Sequence, residues 1–211
     1  MKGLKIKVCG MREPENISTV SALLPDYLGF IFYTGSKRYA GDMSPDIRAE
    51  IPAFVKKVGV FVNEKEDKLL QTCTTYGIGT VQLHGEESPE YCEHLAESGL
   101  RIIKVIRIGK HLHTTDLIPY RDVCSYFLFD TDTDAYGGSG KQFDWGLLKD
   151  YTLEIPFFVS GGIGPDDAGK LRNLAHPMFF GVDINSRFET SPGIKDDGLI
   201  EGFIQTIRAP R

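Results

Sequence analysis

The sequence predicts an α/β fold, a single-domain (β/α)8 barrel of the TIM type, on three observations. Short apolar or β-branched runs recur along the chain, with amphipathic stretches between most of them. Several runs are almost wholly apolar, as parallel strands covered on both faces are. Polar, thiol and glycine residues gather where the runs end, the face at which such a barrel assembles its site.

The strands are expected at residues 4–9, 27–32, 55–62, 79–84, 100–106, 125–130, 155–160 and 178–183. In the first crossover Ile17, Val20, Leu23 and Leu24 form a helical stripe. Ser44-Pro45-Asp46 then supplies a cap, an N1 proline and an acid ahead of Ile47 and Ile51. Leu69, Leu70, Cys73 and Tyr76 make the third stripe, and Ser88-Pro89-Glu90 repeats the cap grammar before Tyr91 and Leu95. The fifth and sixth helices, around 114–121 and 143–150, look short. Gly164-Pro165-Asp166-Asp167 opens a helix carrying Ala168, Leu171 and Leu174. Leu199, Ile200, Phe203, Ile204 and Ile207 keep the 3.6-residue period in the last. No composition shift or linker divides residues 1–211, so one domain is expected. A doubly wound open sheet is the alternative, but Val8-Cys9-Gly10-Met11-Arg12 after the first strand contains no GxGxxG fingerprint.

Composition narrows the function classes. With 24 Lys+Arg against 29 Asp+Glu and no basic run, no nucleic-acid partner is expected. Apolar runs fall far short of the roughly 20 residues that span a bilayer, so no membrane partner is expected either. The start MKGLKIKVCG lacks the continuous apolar region of a signal peptide, and a cytoplasmic location is the expectation. Cys9, Cys73, Cys92 and Cys124 form no CxxC pair, which gives little support to a disulfide framework or zinc site. The strand ends contain no histidine pair with metal-ligand spacing, and neither a metal nor a cofactor is needed to explain them. No outer helix presents an unmistakable interface stripe, which leaves the oligomeric state open and leans towards a monomer.

The strand ends carry the candidate chemistry. Ser160-Gly161-Gly162-Ile163-Gly164 follows the seventh strand, and Gly181-Val182-Asp183-Ile184-Asn185-Ser186 runs out of the eighth. Loops at these places often bind phosphate through backbone N–H groups, and glycine lets the backbone approach the oxygens. Those glycines also suit plain tight turns. Cys9 and Asp130 would face one mouth from opposite sides of the barrel. The thiol suits a base for an already acidified carbon-bound proton, and a partly buried aspartic acid suits a proton donor. Position alone also allows a buried core thiol and a helix-capping aspartate. His84 ends the fourth strand, and Arg38, in Gly35-Ser36-Lys37-Arg38-Tyr39, could clasp a substrate carboxylate bidentately or face solvent. Tyr136-Gly137-Gly138-Ser139-Gly140-Lys141 reads as a glycine-rich loop and does not match a P-loop.

These motifs, in order and nearly end to end, resemble the phosphoribosylanthranilate isomerase family. They include Lys7-Val8-Cys9-Gly10-Met11, Gly29-Phe30-Ile31-Phe32-Tyr33, Val81-Gln82-Leu83-His84-Gly85, and Asp130 followed by Gly137-Gly138-Ser139-Gly140 and Phe143-Asp144-Trp145. Ser160-Gly161-Gly162-Ile163 and Gly181-Val182-Asp183 complete the set. The resemblance implies a phosphosugar substrate and an Amadori rearrangement, with Asp130 as acid and Cys9 as base. It further implies Arg38 at the anthranilate carboxylate and Asp183 at the amine or sugar hydroxyls. Gln82, His84 and Gly138 would lie beside the substrate, and Gly161, Gly162, Asn185 and Ser186 would meet the phosphate. One departure is the stretch Asn185-Ser186-Arg187-Phe188-Glu189, where the family commonly has Ser-Ser-Gly-Val-Glu. Arg187 there would either add charge to the phosphate or point to solvent. An indole-glycerol-phosphate synthase would need strand-end lysine and glutamate, and an epimerase metal-binding histidines and acids; neither explains Cys9 and Asp130 together. A non-catalytic phosphosugar-binding barrel is the remaining rival.

Overall fold

A computed structural model of the chain describes residues 3–41, 43–132 and 142–210, without the side chain of Arg48. Eight parallel strands close into a barrel in sequence order. They are β1 (Lys5–Cys9), β2 (Tyr27–Ile31), β3 (Lys56–Phe61), β4 (Thr80–Leu83), β5 (Arg101–Ile108), β6 (Tyr126–Thr131), β7 (Phe157–Val159) and β8 (Phe179–Ile184). Each sits within two residues of its sequence-based position at the start and at the end. Closure pairs β1 with β8, Lys7 lying opposite Asp183.

Around the barrel lie α1 (Pro14–Ala22), α2 (Ile47–Glu50), α3 (Glu66–Tyr76), α4 (Pro89–Glu97), α5 (Ala168–Arg172) and α6 (Asp197–Arg208). The α4 start follows the sequence grammar: Pro89 opens the helix, and Ser88 Oγ accepts from the Tyr91 N–H at 3.3 Å. Among the described residues, the fifth and sixth crossovers hold 3₁₀ segments, Thr114–Tyr120 and Trp145–Asp150, instead of α-helices. Pro119 inside the first cannot donate a backbone hydrogen bond and so blocks a longer α-helix. The Ser44-Pro45-Asp46 signal leads to a single turn, α2, starting at Ile47.

Two apolar layers hold this arrangement. The larger lies between barrel and helices, where α6 buries Ile200, Phe203, Ile204 and Ile207. Leu24 and Leu199, placed on apolar stripes by sequence, are exposed, because Leu24 lies beyond α1 in a left-handed turn and Leu199 falls off the buried face. The smaller layer fills the barrel interior with Tyr27, Val58, Ile103, Val105, Tyr126, Leu128 and Phe158. Its aromatic rings pack edge to face, Tyr27 on Phe158 at 5.5 Å and Phe158 on Phe180 at 5.2 Å. This plug fills the N-terminal part of the interior and leaves the opposite mouth to polar groups. Among the described residues, no helix is long and apolar enough to cross a membrane.

Candidate active site

Strand periodicity builds the site. Side chains alternate between the two faces, so inward positions recur every second residue. On β4 these are Thr80 and Gln82, with His84 next; on β6 they are Tyr126, Leu128 and Asp130. Each series begins in the packed interior and ends at the C-terminal mouth. There an open cavity of about 850 Å³ is lined by Cys9, Arg38, Gln82, His84, Asp130, Thr131, Ser160–Ile163, Asp183, Asn185 and Ser186 among others. Every sequence-derived site residue within the described range therefore meets in one place. Gly138 lies outside the described residues. Arg187 is exposed and does not line the cavity; it rests against Gly164.

Cys9 closes β1 beside Gly29 of β2. A methyl group added at Gly29 would lie 2.9 Å from the Cys9 Sγ, so the glycine makes room for the thiol. Burial pushes the thiol pKa up, and the Lys7 ammonium is the strongest influence in the other direction. Asp130 ends β6, where its Oδ1 accepts from the Thr131 N–H at 2.8 Å. Burial raises its pKa to about 6, against the lowering effect of that hydrogen bond. His84 Nε2 lies 3.5 Å from Asp130 Oδ2. Burial, with Arg107, Lys104 and Lys7 nearby, drives the His84 pKa down to about 3, so the ring is neutral. Gln82 Nε2 approaches His84 Nδ1 at 3.5 Å, and among the described residues its buried Oε1 has no partner. A carboxyl whose pKa burial raises to about 6 and a thiol thus share one partly closed site.

The glycines after β7 lie in left-handed backbone at one end of the cavity. Gly161 and Gly162 have φ values of +83° and +64°, both left-handed. A Cβ at Gly161 would come within 2.7 Å of Thr131 N and 2.8 Å of Asp130 Oδ1, so no larger residue fits without displacing the acid. Among the described residues, none engages the N–H of Gly161 or Gly162. The loop is held from behind: Gln142 Nε2 donates to Gly162 O at 2.9 Å, and Gly164 N–H donates to Asp167 Oδ2 at 2.8 Å. Asn185 and Ser186 face it across the cavity.

Arg38 reaches the cavity, but its bidentate face is already taken. Nε and Nη2 donate to both Glu189 oxygens at 2.7–3.0 Å, which leaves the Nη1 edge for a ligand. Glu189 begins a hairpin, β9 (Glu189–Ser191) and β10 (Ile194–Lys195), that sequence patterning does not reveal. From β10, Lys195 Nζ donates to Glu189 Oε1 at 2.6 Å and to Asn185 Oδ1 at 2.7 Å. This buried network ties Arg38 to the loop carrying Asn185 and Ser186. Its segments are too short for periodicity to betray them.

The likeness to known proteins runs the length of the chain. The sequence model of the N-(5′-phosphoribosyl)anthranilate (PRA) isomerase family matches residues 6–206. The N-(5′-phosphoribosyl)anthranilate isomerase of Parabacteroides distasonis is 45% identical over 207 residues, covering 97% of this chain and 94% of the relative. The crystal structure of phosphoribosyl anthranilate isomerase from Thermotoga maritima superposes with a TM-score of 0.86 at 35% identity, over 98% of this chain and 100% of that one. A phosphoribosyl anthranilate isomerase in complex with reduced 1-(o-carboxyphenylamino)-1-deoxyribulose 5-phosphate gives 0.82 at 32% identity, with the same coverage.

Proposed function

The chain belongs to the N-(5′-phosphoribosyl)anthranilate isomerase family, and we propose that Cys9 and Asp130 carry the two proton transfers of its reaction. It is an aldose–ketose isomerase of tryptophan biosynthesis. The Amadori rearrangement converts N-(5′-phosphoribosyl)anthranilate to 1-(2-carboxyphenylamino)-1-deoxyribulose 5-phosphate. The observation that carries the assignment of roles is the convergence of thiol, raised-pKa carboxyl, guanidinium and left-handed glycine pair on one cavity.

Asp130 protonates the furanose ring oxygen, and the ring opens to a Schiff base. With its pKa near 6, roughly a tenth of Asp130 is protonated at neutral pH, enough to act and weak enough as a base to let go. The iminium withdraws electrons from C2′, so Cys9 removes a proton that is already acidified. The enolamine then tautomerises to the aminoketose. The Nη1 edge of Arg38 receives the anthranilate carboxylate, held in place by Glu189. Gly161 and Gly162 offer N–H groups to the phosphate, with Asn185 and Ser186 opposite. Asp183 faces the amine or sugar hydroxyls, while Gln82 and neutral His84 line the mouth as hydrogen-bonding groups. No step in this sequence calls on a metal or cofactor.

Residues 1–211 act as one domain, since a single closed barrel takes in both the first and the last crossover. Four free, buried thiols support a reducing, cytoplasmic setting. The test is to add the purified protein to freshly generated phosphoribosylanthranilate and follow the anthranilate fluorescence. The expected result is rapid decay to a product of unchanged mass that reacts as a ketose. A folded protein that leaves the fluorescence at its uncatalysed rate of change overturns the reading in favour of a binding-only barrel.

A further inference from the structure

One buried charge has no part in the steps above. Lys7 has its ammonium wholly inside the barrel, with a side-chain exposure of 0%. It lies two residues before Cys9 on β1 and so points to the same face. Its Nζ donates to Asp183 Oδ1 at 2.8 Å across the β1–β8 seam. The pocket left by the absent side chain of Gly29 receives both groups: a methyl there would lie 2.9 Å from Cys9 Sγ and 3.1 Å from Lys7 Nζ.

An ammonium is a costly occupant of a barrel interior whose other inward side chains include Val58, Ile103, Leu128 and Phe158. Asp183 compensates one side of Lys7; the thiol occupies the other. We infer that Lys7 is a positioning residue for proton abstraction, its ammonium anchoring Asp183 and standing beneath the Cys9 sulfur as countercharge to the thiolate. The inference rests on the reading of Cys9 as the base. Electrostatics agree with the geometry. Burial alone would lower the Lys7 pKa, yet Asp183 and Cys9 outweigh it and keep the ammonium charged. At Cys9, Lys7 is the leading influence that favours the thiolate, Lys195 adds to it, and Asp183 opposes it. The other titratable or charged groups around the cluster are Arg38 after β2, His84 after β4, Asp130 on β6 and Lys195 on β10.

The experiment titrates the thiol itself. The pH dependence of iodoacetamide alkylation at Cys9 is read by peptide mass spectrometry in the wild type, Lys7→Met, Lys7→Gln and Asp183→Asn. Lys7→Met should raise the alkylation midpoint by about one unit or more, a tenfold loss of thiolate at fixed pH. Its kcat should fall about tenfold while KM changes by less than about threefold. Lys7→Gln, whose amide still donates to Asp183 and so guards against loss of folding, should shift the midpoint the same way. Asp183→Asn should move it in the opposite direction. An unchanged midpoint in a folded Lys7 variant overturns the inference. So does faster alkylation in all three variants, the mark of a merely loosened pocket. Cys9→Ala retaining full turnover would instead refute the base assignment, an outcome the thiol titration does not share.

Discussion

Replacing Asp130 by Asn should make the protein a worse enzyme and a more stable fold. Burial raises the Asp130 pKa from an ordinary 3.8 to about 6. The folded state therefore holds the proton more tightly than the unfolded chain, and stability falls as pH rises from about 4 to about 6. Across that span of roughly two pH units, at about 1.36 kcal/mol for each, the penalty reaches about 3 kcal/mol once the pH is above the folded value. Asn carries no charge, and its side-chain oxygen can still accept from the Thr131 N–H that Oδ1 now meets at 2.8 Å. Urea denaturation at about pH 7.5 should thus show Asp130→Asn about 2–3 kcal/mol more stable than wild type, with the gap roughly halved at about pH 5. Turnover of phosphoribosylanthranilate should fall about 10²–10⁴-fold. If Asp130 were only a structural cap, Asn would leave turnover intact. A variant less stable than wild type, or a gap independent of pH, would refute the assignment of its pKa to burial.

Two further outcomes follow from the loops. Gly161→Ala should destabilise the fold by about 2–4 kcal/mol, from a left-handed φ and a Cβ driven into Thr131 and Asp130, and should raise KM; thermal denaturation and steady-state kinetics measure both. Glu189→Gln should destabilise by about 3 kcal/mol at neutral pH, because Arg38 and Lys195 lose their shared buried carboxylate. The Glu189 pKa is lowered by its cationic partners, against the raising effect of burial, so that stability is present above its ordinary 4.5 and lost as pH falls. The deficit of the Gln variant in urea denaturation should shrink accordingly in acid.

The barrel was legible because its strands are near-continuous apolar runs and because caps such as Ser88-Pro89-Glu90 mark helix starts. The candidate site was legible for a related reason: topology assigns function to strand ends before any side chain is seen. What patterning missed was partnership. Lys7 lies in phase with Cys9 along β1, a signal present in the spacing, but a lysine near a chain terminus looks like a solvated edge until Asp183 is placed opposite it. Glu189 and Lys195 gave no such signal, since the hairpin that carries them has two strands of three and two residues. For the same reason the Arg38 guanidinium looked available for a bidentate clasp when Glu189 already holds that face. Ion pairs between distant segments belong to tertiary structure, and local periodicity is blind to them.

The proposed mechanism requires Cys9 to be the group that takes the C2′ proton. Its most direct test sets the turnover number of Cys9→Ala beside its affinity for reduced 1-(o-carboxyphenylamino)-1-deoxyribulose 5-phosphate. Removal of the base should lower kcat by about 10²–10⁴-fold. The Kd of the ligand should stay within about threefold, since the glycine loop and Arg38 are untouched. Wild-type turnover in a folded Cys9→Ala protein would contradict the mechanism.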